Sequence, residues 1–321
     1  YIGSHVAVEL ISEGFDIVIL DDLSNSEEFV LSQLETLTKK SISFEKGDLR
    51  DIDFLASIFE KHSIDGIIHL AAKKAVGESV NKPLLYYDVN VSGLTNLLKV
   101  IEKHTIKKFV FSSSCTVYGT PESLPVTEEA PFRNTPSPYG KTKQMCEQIF
   151  MDTSTVSKYD IVSLRYFNPV GAHSSSLIGE LPKGTPNNLV PFITQTAAGL
   201  RKELSIFGGD YNTSDGTAVR DYIHVVDLAK AHVKALGASL KKYDALNIGT
   251  GEGYSVLEVV KTFIEETGQD FKYKIVERRE GDVEQIYGAP QLANEKLGWK
   301  AELGLKEMVR DAWNWHKEIA K

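Results

Sequence analysis

Residues 107–119 read KKFVFSSSCTVYG, an apolar and aromatic run that ends on three serines. A strand with one wet face alternates polar and apolar residues. Phe109, Val110 and Phe111 do not alternate, as expected of a strand covered on both sides. Comparable runs lie in both directions along the chain: DIVIL (16–20), SISFEKGDL (41–49), DGIIHLAA (65–72) and DIVSLRYF (160–167). Segments of helical period, at about 4–14, 51–62, 83–104 and 138–157, fill the intervals. Strands joined through helices run parallel, and right-handed crossovers lay those helices on both faces. The expected fold is α/β, a doubly wound parallel sheet of Rossmann type with a smaller mixed lobe.

Such sheets bind ligands beyond the carboxyl ends of their strands. Ser112, Ser113 and Ser114 are at such an end, placed to hydrogen-bond a sugar hydroxyl, although serine turns also form for conformational reasons alone. The next helix opens with SPYGKTK (137–143). Ser137 is a good N-cap and Pro138 a good first residue. Tyr139 and Lys143 then share one face a turn apart, and Cys146, Ile149 and Phe150 extend a mostly apolar stripe. Two readings compete. Lys143 covers a half-buried tyrosine with its stem, or its ammonium lowers the phenol from an ordinary pKa of ~10 so that Tyr139 exchanges a proton with a hydroxyl.

After about residue 166 the rhythm breaks into NPVGAHSSSLIGELPKGTPNNLVPF, rich in turn formers. A helix at 227–240 and a strand at 245–249 are expected to return to the sheet. The expected division is a nucleotide-binding domain, 1–165, and a mainly substrate-binding lobe, 166–321, of which about 220–250 rejoins the sheet. The cleft between them is the expected ligand site.

The chain has 321 residues, 42% hydrophobic and 25% charged, with a net charge of −8. That charge argues against a general nucleic-acid or anionic-membrane binder, while a few arginines suffice for one diphosphate. Cys115 and Cys146 have no metal-type spacing, so no metal is expected, and they suit a reducing, cytoplasmic compartment. No apolar run is long enough to span a bilayer. The chain opens directly in helix-like YIGSHVAVEL, and a strand and the first glycines of a nucleotide loop are expected upstream of Tyr1.

Gly3 of YIGSH has the place of the last glycine in a dinucleotide loop, or is simply a glycine at a helix start. Asp21 ends a strand 18 residues later, where a carboxylate binds ribose hydroxyls and repels a 2′-phosphate, favouring NAD over NADP. Asp48 ends the next strand, near an adenine or as a turn former. Ala71 and Ala72 are small enough for a cofactor to lie close, and Lys74 faces that cofactor or solvent.

Taken in order, YIGSH, DDLSNS, HLAAKKAVGES, SSSCTVYG, SPYGKTK, RYFNPVGAH, PNNLVPF, DGTAVRDYIHVVDLA and REGD resemble the extended short-chain dehydrogenase/reductases, most closely the UDP-glucose 4-epimerase family, over essentially the whole chain. The resemblance implies Tyr139 as acid and base, Lys143 as the residue that tunes it and holds the nicotinamide ribose, and Ser114 as partner of the sugar 4-hydroxyl. It implies NAD contacts at Ile2, Asp21, Asn25, Ser26, Asp48, Leu49, Lys74 and Asn90, as well as at Tyr139 and Lys143. For a UDP-sugar it implies Asn168, Asn188, Leu189, Phe207, Arg220, Arg279 and Asp282, beside Ser114 and Tyr139. Arginines grip a diphosphate by paired hydrogen bonds, and Phe207 can pack on a base. The implied reaction interconverts UDP-galactose and UDP-glucose through a 4-keto sugar with tightly bound NAD, and relatives imply a homodimer. A 4,6-dehydratase on this scaffold would carry an Asp-Glu pair where this chain has Cys115 and Thr116; a non-catalytic NAD-binding regulator would typically lose the Tyr/Lys pair. A residue shortly after the GD of REGD gates sugar size in this family, and the register points to Ile286 or its neighbour Tyr287.

Overall fold

The computed structural model describes residues 1–279 and 282–321; Glu280 and Gly281 of the REGD motif lie outside the described residues. Four parallel strands form the centre in the order Gly66–His69, Lys108–Ser112, Asp160–Tyr166 and Tyr243–Ile248. A separate parallel pair joins Val18–Asp21 to Ser43–Lys46. The side chains divide as a doubly covered strand requires. Phe109, Phe111 and Ile161 pack on one face with Leu94, Leu97 and Phe150. Val110, Val162 and Leu164 pack on the other with Leu228, Ala231 and Leu246. The α/β, Rossmann-type expectation is borne out.

A second core, built on Ile193, Tyr222, Val260, Phe263, Met308 and Trp313, gathers the helices Leu189–Ala197, Val256–Thr267 and Leu305–Ile319. Beside it strand Val219–His224 pairs parallel with Asn168–Val170 and with Gln285–Ile286, and antiparallel with Gly253–Ser255.

The helix expected over 83–104 is not continuous. A separate short helix, Val76–Asn81, precedes it, and the span itself is built of Pro83–Tyr86, a π-helical turn Tyr87–Ser92 and Gly93–Ile101. A π-turn carries one extra residue per hydrogen bond and rotates the residues beyond it about the helix axis. The rotation leaves Asn90 buried, facing helix Pro138–Ser154, and brings Gly93 so close to Leu49 that a Cβ there would stand 3.2 Å from Leu49 Cβ. Helix Phe29–Thr38 is not among the expected elements, because no capping side chain marks its start.

Candidate active site

The three serines part company at the end of their strand. Ser112 is hydrogen-bonded to the Tyr166 hydroxyl, and Ser113 donates to Glu147. Ser114 alone turns into the next segment, accepting from Thr116 N (3.3 Å) as the N-cap of the short helix Cys115–Tyr118. Tertiary bonds thus account for two of the serines, while Ser114 both caps the short helix and lies beside Tyr139.

Helix Pro138–Ser154 begins where its cap predicts, with Ser137 Oγ accepting from Gly140 N (3.2 Å). Gly140 is pressed so tightly on Thr135 that a Cβ would lie 2.2 Å from its hydroxyl. The helix start is thereby fixed against the preceding loop. Tyr139 and Lys143 are both buried. Lys143 Nζ donates to Ser112 O (2.6 Å) and stands 5.9 Å from the centre of the Tyr139 ring.

The expected lowering of the Tyr139 phenol is not produced by these side chains alone. Burial pushes its pKa well above the ordinary value and Tyr166 adds to the rise, while Ser114 acts the other way. Desolvation also pulls Lys143 down, to about 8. The cause is common: both groups are sealed from water, which penalises either charge. An ammonium whose pKa is lower folded (about 8) than unfolded (~10.5) costs stability in full below pH 8. That cost fades as pH rises toward ~10.5, when the unfolded lysine loses its proton too. The stability of Lys143→Met relative to the unmodified protein should therefore be about 3 kcal/mol more favourable at pH 7 than above ~10.5, with the change falling between about pH 8 and ~10.5, whatever the constant cost of losing the bond to Ser112 O. Urea unfolding at several pH values tests this; a difference independent of pH would discard it.

On the proposed cofactor side, Asp21 ends its strand with Oδ1 accepting from Leu23 N (2.7 Å), and Ser26 Oγ is 3.1 Å from both carboxylate oxygens. Asn25 is exposed on the same turn. Asp48 does form the turn allowed for it, accepting from Arg50 N (2.9 Å), and the Arg50 guanidinium holds its carboxyl below the usual range. Leu49 is buried core and Ile2 packs half-buried under the sheet. Asn90 is a brace: its amide accepts from Lys73 N (2.8 Å) and donates to Lys73 O (3.0 Å) and Thr142 Oγ1 (3.0 Å). Both of its donors are used within the protein, so it ties the loop bearing Lys74 to the helix bearing Tyr139.

On the other side, Arg279 pairs with Asp282 (2.7 Å) and lies 5.8 Å from the centre of the exposed Phe207 ring. Arg220 approaches Asp282 (3.9 Å), and its charge acts on the Cys115 thiol, next to Ser114. Asn168 Nδ2 donates to Asp221 O (3.3 Å), Asn188 Nδ2 to Glu180 (2.6 Å), and Leu189 packs half-buried on the second core. The register after Asp282 is set by pairing of Ile286 opposite Arg220. Ile286 is buried with Val117, Tyr118 and Phe167 beside Cys115, whereas Tyr287 faces Gly253. No carboxylate stands at positions 115 and 116: burial pushes the Cys115 thiol up to about 12, and Thr116 Oγ1 is buried without a partner.

Residues 1–312 match the family profile described as GDP-mannose 4,6 dehydratase. The UDP-glucose 4-epimerase of Bacillus subtilis is 50% identical over 98% of this chain and 94% of its own length. That of Haemophilus influenzae is 50% identical over 100% and 96%. The chain belongs to the UDP-glucose 4-epimerase family. Among solved members, the Stenotrophomonas maltophila epimerase with bound NAD and formylated UDP-arabinopyranose superposes with a TM-score of 0.97, at 46% identity over 100% of this chain and 96% of that one. The Bifidobacterium longum epimerase in complex with NAD+ and UDP gives 0.96, also at 46%, over 99% and 96%.

Beneath the candidate site of this UDP-glucose 4-epimerase family member lies a charged layer that sequence reading did not identify. Glu147, one helical turn beyond Lys143, is fully buried and pairs with Arg165 through bonds of 2.6 to 3.1 Å. Tyr243 and Ser113 also donate to it. Arg165 Nη1 donates to Tyr118 OH (3.0 Å), whose hydroxyl donates to Asn247 (2.6 Å). A charge in the apolar strand DIVSLRYF was the one available signal. Asp221 was missed as well. It is buried, raised to about 6 by desolvation, and accepts from Thr250 N (2.9 Å), Gly251 N (3.1 Å) and Gly288 N (3.3 Å), which fixes the loops beside Arg220 and Ile286.

Proposed function

We infer that this chain interconverts UDP-galactose and UDP-glucose, inverting the sugar at C4 through transient oxidation to a 4-keto sugar. The observation that carries the reading is the meeting of buried Ser114, Tyr139 and Lys143 at the end of the serine strand, beside a carboxylate-free Cys115–Thr116 pair. The donor set fits NAD: helix Ile2–Ser12 has no side-chain cap on its first N–H groups, and Asp21, steadied by Ser26, offers a carboxylate to ribose hydroxyls. When bound, NAD supplies the hydride acceptor and donor.

Tyr139 Oη takes the proton from the 4-hydroxyl and later returns it, with Ser114 Oγ aligning that hydroxyl. Lys143, held by the Ser112 carbonyl, supplies the nearby positive charge that favours phenolate. Burial of all three excludes water, so the keto sugar is not lost to hydration. Arg220, Arg279, Asp282, Phe207, Asn168, Asn188 and Leu189 hold the UDP portion, and Ile2, Asp21, Asn25, Ser26, Asp48, Leu49 and Lys74 line the dinucleotide site. Firm grip on UDP and a loose grip on the hexose let both sugar faces be presented. We assign residues 1–165 to the NAD-binding domain and 166–321 mainly to the substrate lobe. We place the chain in the cytoplasm as a homodimer; among the described residues no helix is long and apolar enough to cross a membrane. The dimer fits the exposed apolar side chains Met145 (45%), Val80 (58%) and Leu84 (80%), carried by three helices that pack on one another.

Purified protein incubated with UDP-galactose and no added NAD should yield UDP-glucose. No product from NAD-containing protein would sink the epimerase reading, and a 4-keto-6-deoxy sugar would select a dehydratase. Sedimentation of that preparation at the monomer mass would remove the dimer.

A further inference from the structure

Residues 171–188 leave the substrate lobe, cross to the cofactor side and return at helix Leu189–Ala197. The crossing begins as a hairpin, with Ala172 bridged to Gly179 and His173 N donating to Ile178 O (3.1 Å). Ile178 is buried against Ala7 and Leu34, from helices Ile2–Ser12 and Phe29–Thr38. Further on, Lys183 Nζ donates to Leu23 O (3.2 Å) in the Asp21 turn and faces Glu27 (3.4 Å). The opposite anchor is the C-terminal helix. Trp315 Nε1 donates to Glu180 O (3.0 Å), and a Cβ on Gly179 would come within 2.4 Å of the Trp315 ring. The segment is thus a clasp, fixed at both lobes.

At its centre one oxygen does two things. Glu180 Oε1 accepts from Lys74 Nζ (3.4 Å) and from Asn188 Nδ2 (2.6 Å). Lys74 lies in the loop after strand Gly66–His69, and Asn188 precedes helix Leu189–Ala197.

We propose that Glu180 couples the two nucleotide sites, so that UDP bound on one side slows the loss of NAD from the other. The proposal rests on the assignment of Lys74 to NAD and Asn188 to the UDP-sugar. Lys74 balances the Glu180 charge, so the carboxylate does not simply repel two anionic ligands. A side chain held in place by a shared partner loses less freedom when its ligand arrives. Ordering Asn188 by UDP therefore holds Glu180, which holds Lys74 over the cofactor. Linkage makes the effect reciprocal.

The experiment follows NAD release from the purified holoenzyme into NAD-free buffer, with and without saturating UDP, while calorimetry records UDP binding. In the unmodified protein UDP should slow release about tenfold, inside the range usual for coupled sites. Glu180→Ala should bring the ratio of the two rates close to one while UDP still binds. Glu180→Gln, which keeps an acceptor for Asn188 but not the charge facing Lys74, should fall between. A ratio unchanged in Glu180→Ala, or no slowing by UDP in the unmodified protein, overturns the coupling and leaves the epimerase reading standing. A protein that binds neither NAD nor UDP overturns both.

Discussion

Tyr139→Phe is expected to lower turnover of UDP-galactose by about 10²–10⁴-fold, the span that a positioned acid/base group contributes, and to leave bound NAD in place. The substitution removes one oxygen from a buried ring. Lys143 keeps its bond to Ser112 O, and the Ser137 cap and the Gly140 contact with Thr135 still fix the helix start. Only the proton relay is lost. Steady-state turnover, with NAD counted after denaturing the protein, separates this result from loss of the cofactor. Activity within tenfold of the unmodified protein would take Tyr139 out of its assigned role.

Glu147→Ala should cost about 3–5 kcal/mol of stability, the usual penalty for breaking a buried ion pair from one side. It strands the Arg165 guanidinium in a dry layer and takes the acceptor from Ser113 and Tyr243. Replacing both partners, Glu147→Met with Arg165→Met, should cost much less, because no charge is then left uncompensated. Urea unfolding of the single and double variants measures the difference. A single-variant loss below about 1 kcal/mol would show that Arg165 finds other partners, with Tyr118 and the Glu128 carbonyl as its remaining contacts.

The central sheet was legible because every position of Phe109–Phe111 and of Ile161–Val162 is apolar and buried, so strand and covering could be read together. The start of helix Pro138–Ser154 was legible because Ser137 and Pro138 act locally. What Lys143 does there was not. Helical spacing put it a turn from Tyr139, but the direction of its ammonium depends on a carbonyl 31 residues away in the chain. Resemblance alone makes Asn90 a cofactor contact, and its part as a brace depends on a π-turn that has no sequence marker. Glu180 meets a lysine 106 residues away and Glu147 an arginine 18 residues away, so neither pairing is visible before the chain is folded. Which way Ile286 and Tyr287 face could not be read from the sequence either, because it depends on pairing of Ile286 opposite Arg220, 66 residues away in the chain.

Tyr139, Lys143 and Glu147 follow one another at four-residue intervals on a single helix. The proposed proton carrier, its electrostatic neighbour and the anchor of the whole rod are therefore inherited as one unit. An insertion anywhere among them turns the later members by about 100° per residue and dismantles chemistry and foundation together. Side chains on this helix can be exchanged one at a time, but its length between Tyr139 and Glu147 cannot change without displacing every member beyond the change.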